Sequence, residues 1–120
     1  MAKVSAQIQP EKYVVKIDTP TGNSILSDQK EEAEGNDLGL DPKELLSASL
    51  AACTTVTLRM YVDHKGWDVQ DINVEVSLEY LKEENITKIH SVVNVIGNLD
   101  EKQRARILSV AKSCPVHKIL

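Results

Sequence analysis

Phenylalanine is absent from this sequence, tryptophan occurs once and tyrosine three times. With so few aromatic side chains to offer as stacking platforms, a surface that reads bases or sugar rings is not expected, and the core must be built from aliphatic residues. Positive charge is not in excess: 14 Lys and Arg stand against 18 Asp and Glu, a formal net charge of −4, and the basic residues are dispersed, which argues against a nucleic-acid partner. No apolar run follows a basic N-terminus and no span of about 20 apolar residues stands out, so the default expectation is a cytoplasmic protein without membrane association. Only two cysteines occur, far apart in the chain, which is not the disulfide framework of a small secreted domain. In a reducing compartment they read either as two unrelated buried thiols or as a catalytic pair.

What is present is organised around one stretch, Asp41 to Lys65. A chain of 120 residues forms one domain, residues 1–120, able to bury roughly two-thirds of its surface. Asp41 is a good helix N-cap, Pro42 suits the first helical position, and Glu44 stands three residues on, the spacing of a capping box. No breaker interrupts the helix that follows. Leu46, Leu50, Cys53, Val56 and Met60 recur at three- and four-residue spacing, and Leu45, Ala48, Ala52 and Leu58 widen the apolar surface, so the helix must be largely covered. Small residues at Ser47 to Ser49 and at Ala51 and Ala52 let other backbone approach, either a sheet or a second subunit. His64, Lys65 and Gly66 mark its end, with cations at the carbonyl end of the dipole and a glycine for the left-handed cap.

Before this helix, alternation over Val4, Ala6 and Ile8 and again over Tyr13, Val15 and Ile17 predicts two strands joined by a tight turn, with a third short strand around Ser24 to Leu26. Gln29 to Asp37 is acidic and poor in apolar residues and reads as a mobile, solvated connector. After the helix, Ile72 to Tyr80 alternates strictly, Lys82 to Asn85 makes a turn, and Ile86 to Ile96 is a partner strand whose mixed faces suggest cover on both sides. His90, alone in that strand, reads as a surface or hydrogen-bonded residue. Asp100 with Gln103 then caps another helix, with Ile107, Leu108 and Ala111 expected on its buried side.

The last residues bring the second thiol into a telling position. Cys114 followed by Pro115 is the pattern of an N-cap with proline at the first helical position. Unpaired backbone amides there favour an anion, and the thiolate is the reactive form of cysteine. His117 could add positive charge nearby. Cys53, in the middle of an apolar helix, has no such device in the local sequence, so its activation must come from outside the helix.

Taken together, Pro42 to Leu46, Leu50 to Cys53, Thr57 to Tyr61, Lys65 to Trp67 and Cys114 to Lys118 resemble the OsmC/Ohr family of thiol-dependent hydroperoxide reductases, over the chain from about Gly39 onward. The resemblance implies an α+β, OsmC-like fold in which a curved antiparallel sheet surrounds a long central helix and two chains intertwine as a homodimer. It also implies a mechanism that uses the two thiols and no cofactor. Cys53 attacks the O–O bond of an organic hydroperoxide to give a sulfenic acid, Cys114 condenses with it to a disulfide, and an external dithiol, in one branch a lipoylated protein, reduces the pair again.

Two positions of the family pattern are changed. An arginine from the N-terminal strands has no counterpart, since no arginine precedes Arg59, and Lys43 stands where a glutamate usually lies ten residues before the cysteine. Lys43, Glu44, Arg59 and His117 are therefore the auxiliary candidates, with Glu44 better placed for capping because nine residues is half a turn out of phase with Cys53. The resemblance further implies a final strand after the second cysteine helix, which this sequence does not contain. Two other readings stand beside the enzyme: a dimeric scaffold that binds a small apolar ligand without catalysis, and a metal site of Cys53, Cys114 and His117, for which a single Cys-x-x-His pair is a weak signature.

Overall fold

The computed structural model describes all residues from Met1 to Leu120, in two compact units, Met1–Leu46 and Ser47–Leu120. In the first, β1 (Ser5–Ile8), β2 (Val15–Asp18) and β3 (Ser24–Ser27) form an antiparallel three-stranded sheet in chain order, with Ile8 opposite Val15 and Asp18 opposite Ser24. Alternation and turn residues place these strands as expected.

The connector that follows is mostly exposed, as its composition suggests, but carries local structure. It winds as a short 3₁₀ helix, Glu31–Ala33, around Asp28, which is only 1% exposed. The Asp28 carboxylate accepts the main-chain N–H groups of Gln29, Asn36 and Leu38 at 2.7, 3.1 and 3.1 Å. Burial pushes this carboxyl upward, but the donors from Leu38, Asn36, Gln29 and Tyr13 outweigh it and hold the acid below its ordinary value of 3.8. A depressed folded-state value means the group contributes stability above the unfolded value and loses it as pH falls through the folded one. Asp28→Asn should therefore lower the melting temperature at pH 7 by several degrees and flatten its fall below pH 4, measured by thermal melts across pH 2.5 to 7; an unchanged acid limb would remove Asp28 from this role.

Helix α1 (Pro42–Lys65) starts where the caps predict: Glu44 N–H donates to Asp41 Oδ1 at 2.8 Å and Asp41 N–H to Glu44 Oε1 at 3.0 Å. It ends at Gly66, whose φ of 70° is the left-handed cap, with Trp67 N–H closing on the Val62 carbonyl at 2.9 Å. Which face it buries differs from the expectation. Leu50, Thr54, Leu58 and Val62 are buried within the chain, whereas Leu46, Val56 and Met60 are exposed, Met60 by 67%. A helix apolar on most sides carries two candidate stripes, and periodicity does not choose between them. The helix is also closer to a membrane span than expected, long and apolar enough to cross one by length and composition alone.

In the second unit β4 (Val69–Leu81) and β5 (Ile86–Gly97) form a long antiparallel hairpin, with Leu81 opposite Ile86 across a turn in which Asn85 takes a φ of 52°. At its far end the register shifts between Val69 and Asp71, and Gly97 approaches so closely that a Cβ there would meet the Asp68 carbonyl oxygen at 2.3 Å. Val93 and Val95 pack on the core while Val92 and Ile96 stay exposed, so within one chain this strand is covered on a single face, not both. Helix α2 (Glu101–Ala111) carries the Asp100–Gln103 capping box and buries Ile107 and Val110; Leu108, expected inside, is exposed. Leu58, Val62, Val69, Ile107 and Val110 form the buried centre of this unit. The five-residue α3 (Pro115–Ile119) closes the chain, with Cys114 at its N-cap.

Candidate functional site

The two thiols meet. Cys114 is fully buried, at 0% exposure, where the buried face of α1 faces the start of α3, and Cys53 lies half-buried within side-chain hydrogen-bond reach of it. Residue spacing explains the placement: Cys53 and Thr54 are neighbours on α1, Thr54 continues the Leu50–Leu58–Val62 stripe, and Cys53 stands at the margin of that stripe.

Two hydrogen-bond contacts reach the Cys114 sulfur. Thr54 Oγ1 lies 3.6 Å from its Sγ, and the main-chain N–H of His117 donates to the same sulfur at 3.3 Å. The Cys53 thiol and the Val116 N–H stand close enough to act on the same sulfur. Burial alone would push the Cys114 thiol up; the Thr54 hydroxyl, the His117 N–H, Cys53 and Val116 together more than offset it and set the thiol below its ordinary value of 9.0. The thiolate expected from the Cys-Pro signal is thus favoured, with Thr54 as a donor the sequence reading missed. A threonine inside an apolar helix reads as filler, and its neighbour Thr55 does bond back to the Ala51 carbonyl at 2.7 Å.

The auxiliary candidates fall elsewhere. Arg59 grips Asp63 through Nε and Nη2 at 3.1 and 2.6 Å and donates from Nη1 to the Val69 carbonyl at 3.2 Å, so it ties the end of α1 to β4 and is not the cation for Cys53. Glu44 does cap α1, and it also meets Lys30 at 2.5 Å, while Lys30 holds Asp37 at 2.7 Å. The Lys30 ammonium, then the Asp41 N–H, keep the Glu44 carboxyl below its usual value, and Asp37 and Glu44 together raise the lysine. A cation from the N-terminal segment against an acid of the first turn is therefore present, as Lys30 rather than an arginine. Lys43 is exposed on that same turn. His117 reaches the sulfur through its backbone, and no three of the His, Cys, Asp and Glu side chains converge as metal ligands.

Beside the thiols opens a cavity of about 220 Å³ lined by Thr54, Ile89, Ser91, Val93, Leu108, Ala111, Lys112 and His117. Its apolar walls and two basic residues suit a small, largely hydrocarbon molecule.

Comparison with known proteins agrees with this fold. The structure is similar to a proposed osmotic stress induced and detoxification response protein from Psychrobacter arcticus (TM-score 0.85, 20% identity, covering 100% of this chain and 88% of that one). It is similar to an OsmC-like protein from Mycoplasma pneumoniae (TM-score 0.82, 17% identity, 99% and 86% covered). It is also similar to the organic hydroperoxide resistance protein OhrB of Bacillus subtilis (TM-score 0.65, 22% identity, 99% and 89% covered). At these identities the likeness is one of fold. No curated protein sequence matches the chain. The family model for OsmC-like proteins matches residues 35–120, well over half of the sequence, and the chain belongs to the OsmC-like protein family.

Proposed function

We propose that this protein reduces organic hydroperoxides through its two cysteines. Cys53 attacks the outer peroxide oxygen and becomes a sulfenic acid, releasing the alcohol; Cys114 displaces water from that sulfenic acid to form a disulfide, which an external dithiol reduces. The observation that carries the reading is the pairing of thiols distant in sequence, with the half-buried one accessible to substrate and the fully buried one accessible to its neighbour. A relative of the same fold is named for organic hydroperoxide resistance, which supports this substrate class.

The exposed stripe of Leu46, Val56 and Met60 supports a homodimer, since a second copy laid on it would cover the apolar helix. The proposed setting is the cytoplasm, where a lipoylated protein is one source of the dithiol. Treatment with one equivalent of cumene hydroperoxide should lower the chain mass by about two hydrogens and link the Cys53 and Cys114 peptides. Oxygen additions to Cys53 alone, with no cross-link, would refute the resolving role of Cys114. Light scattering should give twice the chain mass.

A further inference from the structure

We propose that Cys114 acts twice: before it resolves the sulfenic acid, it takes the proton from Cys53 as Cys53 attacks the peroxide, and the Thr54 hydroxyl is the positioning group that holds it ready. This rests on the hydroperoxide-reducing function proposed above and gives Cys53 a source of activation from within its own chain.

The geometry is specific. Arg59, the only arginine on α1, is consumed by Asp63 and the Val69 carbonyl, so no guanidinium from that helix serves Cys53. Cys114 stands beside Cys53: its sulfur lies against Thr54, the next residue along α1. Its sulfur accepts the His117 N–H at 3.3 Å and lies 3.6 Å from the Thr54 hydroxyl, which is 4% exposed, so water does not compete for either contact. A sulfur so surrounded by donors and shielded from solvent serves as a proton acceptor. The titratable groups lining the cavity beside the pair are His117 on α3 and Lys112 at the end of α2, opposite Ile89, Ser91 and Val93 of β5, with no carboxylate among them.

The steps balance. Cys53–SH gives its proton to the Cys114 thiolate and its electron pair to the outer peroxide oxygen; the O–O bond breaks, and the alkoxide leaves. Cys114–SH returns the proton to the alkoxide, giving the alcohol and restoring the thiolate. That thiolate then attacks the Cys53 sulfenic sulfur, forming the S–S bond and releasing hydroxide, which leaves as water on taking a proton from the buffer.

The test follows the first oxidation of Cys53 by cumene hydroperoxide, quenched and read by peptide mass, from pH 5 to 9. Removing a general base should slow this step at least about tenfold at pH 7 in Cys114→Ser and move its pH midpoint upward, with Thr54→Val moving it the same way and Thr54→Ser restoring it. A Cys114→Ser or Cys114→Ala rate and midpoint equal to the parent would overturn the proposal. A separate measurement needs no peroxide: in Cys53→Ser, thiolate absorbance at 240 nm should titrate at higher pH once Thr54→Val is added. An unchanged midpoint removes Thr54 from the role. If the parent protein's Cys53 does not react with hydroperoxide at all while this titration behaves as expected, the failure belongs to the underlying function.

Discussion

Cys53→Ser should leave a folded protein that consumes organic hydroperoxide slower by roughly three orders of magnitude or more, the scale of loss when a reacting nucleophile is removed. The reason is access as much as chemistry. Cys114 is the thiol with the converging donors, yet it is wholly enclosed, so a hydroperoxide meets Cys53 first. Nothing in the variant can then pass oxidation on to Cys114, whose mass should stay that of the free thiol after peroxide treatment. Steady-state peroxide consumption with a dithiol reductant, followed by peptide mass analysis, checks both points. Retained turnover with Cys114 oxidised would reverse the roles of the two cysteines.

The second large effect is on stability. Leu58 has no exposed surface and touches the cluster formed by Val62, Val69, Ile107 and Val110, where α1, the hairpin and α2 meet. Leu58→Ala removes buried methyl groups and leaves a cavity that this packing fills only in part, at a cost of about 2–5 kcal/mol. Urea unfolding followed by circular dichroism should show the midpoint fall. A loss below about 1 kcal/mol, the size of an ordinary surface change, would mean that the site collapses or that the cluster is not the core. Met60→Ala is the instructive partner: Met60 is exposed in one chain, so any comparable loss there reports cover by a second copy.

Much of this was legible because the signals were local. The Asp41–Glu44 and Asp100–Gln103 boxes lie within four residues, and the hairpin of β4 and β5 announces itself by alternation, so each appears where the sequence places it. Cys114 beside Pro115 also reads correctly as a cap. The misses share a different cause. Asp28 draws its donors from both sides in the chain, from Tyr13 to Leu38, and nothing in an acidic, apolar-poor segment tells a solvated carboxylate from one wrapped by backbone. Thr54 is sixty positions from the sulfur it serves, and its hydroxyl gains meaning only once α3 returns to α1. The choice between the Leu58 and Met60 stripes depends on what packs on α1, which a helix apolar all round leaves open.

The way the final helix is moored has a thermodynamic corollary. In the reduced protein, α3 is five residues long with no buried residue of its own, and it is held at its first position by contacts to one sulfur. Once that sulfur is bonded to Cys53, the chain becomes a ring of roughly sixty residues, and the lost freedom of the unfolded ensemble favours the native form by about 4 kcal/mol. Each encounter with oxidant would thus tighten the molecule until a dithiol releases it, so its resistance to unfolding would record its redox history.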